Sequence, residues 1–179
     1  LGYGGAKLVY PLVERFLCDI GSLQENYQGR KTPVGAGLVV YLTGLAAGAW
    51  QWLLCQEEPV RHVLPWLLFG AGTATLAGWL DDQHGEKRVK GLRGHIRSFL
   101  RQGALTTGLV KVYVFAAAGA VIGLAFSLNF WHWLLMTGLL VLSVNTFNLL
   151  DVRPGRAVKG FLFAFAVVAS FSSGWHVWA

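Results

Sequence analysis

Long apolar runs separated by short polar stretches constrain this chain more than any other feature of its sequence. The runs cover residues 34–54, 63–80, 104–128, 133–150 and 160–178, and a further one at 1–17 carries Lys7, Glu14 and Arg15. A run of about 20 residues, wound as a helix, rises about 30 Å and spans the hydrocarbon core of a bilayer. Backbone N–H and C=O groups have no water to bond with there, so each run must satisfy them internally, and a helix does so. The expected fold class is therefore all-α: a polytopic transmembrane helical bundle of about six spans, with a partial first span. Residues 1–179 read as a single membrane domain.

Charge distribution sets the expected orientation. Only 13% of the residues are charged, against about 25% in ordinary soluble domains. The polar segments 18–33, 81–103 and 151–159 alternate with the spans so that all three fall on one side. That side holds 13 of the 15 Lys and Arg residues, whereas the opposite loops hold only Arg61, beside Glu57 and Glu58. Basic loops are retained on the cytoplasmic side and rest against anionic lipid, so 18–33, 81–103 and 151–159 are expected to be cytoplasmic in a multi-pass plasma-membrane protein. The net charge of +6 thus has a lipid explanation and calls for no nucleic-acid partner.

Other features fit helix packing. Gly44 and Gly48, Ala74 and Gly78, and Gly119 and Gly123 repeat small residues at i, i+4, a spacing that lets helix backbones approach closely. Trp50, Trp52, Trp66, Trp131, Trp133, Trp175 and Trp178 gather near the expected non-cytoplasmic ends, as an interfacial belt would. Cys18 and Cys55 fall near opposite faces, which argues against a disulfide.

Four groups of residues carry potential chemistry. Asp81-Asp82 ends an apolar helix, where the helix dipole favours cations instead. Adjacent helical residues point about 100° apart, so one carboxylate is placed to face Mg²⁺ while the other handles a proton or positions a phosphate. The competing reading is a solvated acidic pair balanced by Lys87, Arg88 and Lys90. Asn145, Asn148 and Asp151 repeat at i, i+3, i+6 along roughly a 120° arc of one helix face. Helix termination before Pro154-Gly155 accounts for Asp151 but not for Asn145, which is still inside the apolar run. Lys111 lies one turn inside a span, either snorkelling to the interface or binding phosphate. In the long loop, Lys90-Gly91-Leu92-Arg93-Gly94-His95 offers cations to a diphosphate or to anionic lipid.

In chain order these groups form a series: Asn26-Tyr27-x-Gly29-Arg30-x-x-Pro33, Asp81-Asp82, Lys90-Gly91-x-x-Gly94-His95, Thr106-Thr107-Gly108-x-x-Lys111, and Asn145-x-x-Asn148-x-x-Asp151. The series resembles the polyprenyl-phosphate N-acetylhexosamine-1-phosphate transferases, the glycosyltransferase 4 family that includes phospho-N-acetylmuramoyl-pentapeptide transferase. The resemblance implies a Mg²⁺-dependent enzyme of cell-envelope polysaccharide synthesis. It would move a phospho-N-acetylhexosamine or phospho-muramoyl-peptide from a UDP-sugar to polyprenyl phosphate, releasing UMP. It implies that Asp81 and Asp82 are catalytic and that Asp82 and Asp151 hold the metal. It also implies that Lys111, Asn145, Asn148, Lys90 and His95 bind substrate.

Two departures bear on that expectation. Family members commonly continue the last motif as Gly-x-Asp-Gly, whereas this chain reads Val152-Arg153-Pro154-Gly155-Arg156-Ala157. The exchange of acid for base predicts that Arg153 or Arg156 contacts a substrate phosphate. The family's later Gly-Asp-x-Gly and His-rich loops have no counterpart in these 179 residues. The chain is therefore expected to be part of a longer protein of about ten spans. The alternative expectation is a non-catalytic homologue or scaffold of envelope synthesis. A transporter would place polar groups near mid-bilayer, whereas these cluster toward one face. Oligomeric assembly is compatible with the sequence.

Overall fold

The computed structural model describes residues 2–26, 28–84, 107–151 and 155–175. Among them are helices α1 (Gly2–Asp19), α2 (Gly37–Leu54), α3 (Glu58–His84), α4 (Thr107–Phe126), α5 (Phe130–Leu150) and α6 (Arg156–Trp175). Between α1 and α2 lies a short antiparallel hairpin of β1 (Leu23–Glu25) and β2 (Lys31–Pro33). The protein is an all-α helical bundle with the dimensions of a membrane protein. Four of its helices are long and apolar enough to cross a bilayer: Gly37–Leu54, Glu58–Gln83, Gly108–Phe126 and Phe130–Leu150. The 18 residues of the shortest rise about 27 Å. Of the two terminal helices, α1 carries Lys7, Glu14 and Arg15, and α6 opens with Arg156 and Lys159.

Helices that follow one another in the chain pack against one another, in the series α1–α2, α2–α3, α3–α4, α4–α5 and α5–α6. The buried core is small. Val13 and Leu17 of α1 meet Val39 of α2, with Leu38 and Trp79 packed against them. Large apolar side chains such as Leu124, Leu142 and Phe163 point outward. In water that surface would be unfavourable; in lipid it is the expected exterior.

Several expected boundaries shift. α3 begins at Glu58 and is helical through His84, so Asp81 and Asp82 stand within a helix and not at the start of a loop. The expected turn at 129–132 is shorter because α5 starts at Phe130. There Asn129 Oδ1 accepts from His132 N at 2.9 Å, and His132 Nδ1 accepts from Leu128 N at 3.2 Å, a reciprocal cap of the helix start. Arg156 and Lys159 fall within the first turn of α6, not in a polar loop. The small-residue pairs are used unequally. A Cβ on Gly123 would lie 2.9 Å from Thr137 Oγ1 and 3.1 Å from Trp133 Cδ1, and one on Gly48 would meet Leu68 at 3.1 Å. At Gly44 and Gly78 it would meet nothing within 4 Å. Cys18 and Cys55 are both free thiols, on different helix ends.

The segment at 20–35 is more ordered than its polar composition indicates. α1 ends in a Schellman motif: Gly21 adopts φ +71°, its N–H bonds Cys18 O at 3.0 Å, and Ser22 N–H reaches Leu17 O at 2.8 Å. The chain then enters the hairpin, where Gln24 pairs with Thr32 and Glu25 with Lys31. Asn26 closes the turn. Its side-chain oxygen accepts from Gln28 N at 2.9 Å and Arg30 N at 3.0 Å, while Gly29 takes φ +72°. Part of the Asn26…Pro33 motif is thus accounted for by turn chemistry.

Candidate functional site

Three of the sequence motifs meet at one cation. Lys111 sits one turn into α4, and its Nζ lies 3.0 Å from Asp81 Oδ2 on α3 and 2.8 Å from Asn148 Oδ1 on α5. The ammonium donates to both and so joins three neighbouring helices at the same level. The Lys111 side chain is 14% exposed and that of Asp81 31%, so the pair is sheltered but open on one side. The cation also offsets the negative charge that the Asp81-Asp82 pair places on α3. Lys111 does not snorkel freely; its head is held.

Asp82 is differently placed. Its carboxylate is exposed and makes no hydrogen bond among the described residues, yet it lies within range of the charges of Lys111, Asp81 and Asp151. Asp151 is the C-cap of α5, exposed, with its N–H bonded to Phe147 O at 3.1 Å. Gly155 at φ +77° then turns the chain into α6. Asn145, one turn deeper on α5, is exposed and stands outside the Lys111 hydrogen bonds. Arg156 is exposed at the start of α6, with no ion pair among the described residues. Lys90, His95 and Arg153 lie outside the described residues, as do Tyr27 and Thr106.

Among the described residues no three His, Cys, Asp or Glu side chains gather into a metal cage. Asp81 is committed to Lys111, which leaves Asp82 and Asp151 as carboxylates without hydrogen-bond partners among those residues. That donor set suits an ion such as Mg²⁺, which is commonly held by one or two carboxylates together with water and substrate phosphates. It does not suit a closed structural metal site.

How the hairpin joins this site follows from tertiary contacts that no motif signals. Ser22, 1% exposed, donates from Oγ to Val34 O at 2.8 Å and accepts from Trp79 Nε1 at 3.4 Å. Val34 N–H returns a 2.9 Å bond to Ser22 O. Gly35, at φ +99°, lies flat against the Trp79 indole, where a Cβ would sit 2.5 Å from Cδ1. The Gln24 side-chain amide donates to the backbone carbonyl of Asp82. One signal was present: of the eight Trp residues, Trp79 alone lies beside the acidic pair rather than at the opposite ends of the spans.

No protein-family model, curated protein or solved structure matches this chain. The functional reading therefore rests on the residues and their geometry.

Proposed function

We propose that this chain forms part of a Mg²⁺-dependent phosphotransferase of the plasma membrane. It would transfer a phospho-N-acetylhexosamine, or a phospho-muramoyl-peptide, from a UDP-sugar to polyprenyl phosphate at the cytoplasmic face. The observation that carries the proposal is the junction of Lys111 with Asp81 and Asn148. Residues from three motifs of the family series, 30 and 37 positions apart in the chain, converge on one ammonium group.

The chemistry demanded of such a site is positioning and charge neutralisation. An oxygen of the lipid phosphate attacks the sugar-bearing phosphorus of the UDP-sugar. The bond from that phosphorus to the bridging oxygen breaks, and UMP leaves with the bridging oxygen and its electron pair. Lys111 supplies a fixed positive charge for phosphate oxygens, oriented by Asp81 and Asn148. Asp82, exposed beside it, takes a proton from the lipid phosphate or, with Asp151, shares in holding Mg²⁺. When bound, the ion neutralises charge on the diphosphate. Arg156, exposed at the start of α6, would contact a substrate phosphate. The bilayer supplies the polyprenyl acceptor directly to this face, and the basic loops set its cytoplasmic orientation.

A second reading draws on the same junction. Lys111 already has two good partners, so the cluster also serves as a purely structural clamp in a non-catalytic homologue or scaffold of envelope synthesis. Release of UMP decides between the two. The whole gene product containing this chain, reconstituted with polyprenyl phosphate, Mg²⁺ and a UDP-N-acetylhexosamine, is expected to release UMP only when all three are present. Absence of release across UDP-N-acetylglucosamine, UDP-N-acetylgalactosamine and the UDP-muramoyl-peptide would leave the scaffold reading.

A further inference from the structure

The hairpin segment makes three contacts with α3, two on Trp79 and one on Asp82 three residues further on. Ser22 bonds Trp79, Gly35 packs on the same indole, and Gln24 donates to the Asp82 carbonyl. Gln24 thus reaches α3 from a different part of the chain, at the backbone of the residue that follows Asp81.

The same end of the hairpin is also tied to α1 and closed across its strands. Ser22 is tied to Leu17 of α1 and, through both backbone and side chain, to Val34. Thr32 Oγ1 donates to Gln24 O at 3.3 Å across the pair, directly opposite Gln24 in the register. Gln24 therefore projects from a braced strand and not from a loose loop. A side chain anchored this way loses less freedom when it makes its bond, which strengthens its hold on the partner.

We infer that the hairpin is a bracket that sets the position of Asp82, with Gln24 as the positioning residue that acts through the Asp82 backbone. Gln24 touches no substrate in this scheme. Its significance as part of a catalytic centre rests on the phosphotransferase reading, but its effect on Asp82 does not.

Thiol accessibility at position 82 tests this directly and needs no substrate. In whole protein with every native cysteine replaced by Ser, Cys18 and Cys55 among them, Asp82→Cys and, separately, Leu80→Cys are reacted with a charged methanethiosulfonate reagent. Leu80 is an exposed neighbour on the same turn. Adding Gln24→Ala is expected to change the labelling rate at position 82 about fivefold, the equivalent of one hydrogen bond. The rate at position 80 is expected to stay within about twofold on the same scale. Gln24→Glu, of equal length but without the amide donor, is expected to match Gln24→Ala. An unchanged rate at position 82 overturns the inference, and so does an equal change at both positions, which marks general loosening of α3. If the protein turns over, Gln24→Ala should lower kcat and leave KM for the UDP-sugar unchanged; a rise in KM alone overturns the positioning role. Failure of turnover in every variant counts against the transferase reading and leaves the labelling result standing.

Discussion

The ammonium of Lys111 and the carboxylate of Asp81 meet at 3.0 Å between α4 and α3, and the residue next to Asp81 is left out of that pairing. Two adjacent acids therefore have different work. Asp81 holds a cation in place, while Asp82 presents an exposed carboxylate beside it.

Removing one partner of the pair should cost more than removing both. Lys111→Met strands the Asp81 carboxylate in a sheltered position, and Asp81→Leu leaves the ammonium with Asn148 as its one partner among the described residues. Each is expected to lower stability by about 1–2 kcal/mol, less than a fully buried pair because both groups retain some solvent. The double variant should lose less than the sum of the two. Thermal melting in detergent, arranged as a double-mutant cycle, measures the coupling; strict additivity would show that the pair contributes nothing.

Asp82→Asn separates function from stability. Its side chain makes no hydrogen bond among the described residues, so the melting temperature should hardly move. UMP release should fall by about a hundredfold or more if Asp82 handles the proton. Full activity in this variant would remove Asp82 from the mechanism.

The close approach of α4 to α5 at Gly123 makes a sharp packing prediction. Gly123→Val forces a branched side chain onto Thr137 and Trp133 and should destabilise by about 1–3 kcal/mol. Gly44→Ala, facing open space, should be neutral or slightly stabilising through its helix propensity. Equal melting temperatures for the two variants would contradict the arrangement of these helices.

Gly35→Ala should release the hairpin. It places a methyl both at positive φ and against Trp79, and Ala is strained in that backbone region. The exposed Arg30 and Lys31 in the hairpin then become faster tryptic sites. An unchanged cleavage rate would mean that the hairpin keeps its seat without the Gly35–Trp79 contact.

The parts of this structure that were legible in the sequence are those governed by long-range periodicity or its absence. The apolar runs gave the four bilayer-length helices because hydrocarbon admits little else. Lys111, Asp81 and Asn148 were recognisable as polar residues at the ends of such runs, but their mutual contact depends on helix rotation, which apolar composition hardly specifies. The hairpin was not legible. Strands of three residues show no usable alternation, and Asn26, Gly29 and Pro33 read equally well as a binding motif or as turn residues. Gly44 and Gly78 show the converse. A small residue permits close packing, but only the neighbouring helix decides whether it occurs.

The chain-order packing of the helices has a consequence for biogenesis. Each described helix after α1 packs against the described helix before it, so the bundle can assemble stepwise as successive segments leave the translocation machinery, without waiting for distant partners. The Lys111 junction is an exception in timing, because it closes only once Asn148 has been delivered. Until α5 is in place, Asp81 and Lys111 have each other but lack the third member of the junction, so completion of the polar cluster marks the end of that assembly step.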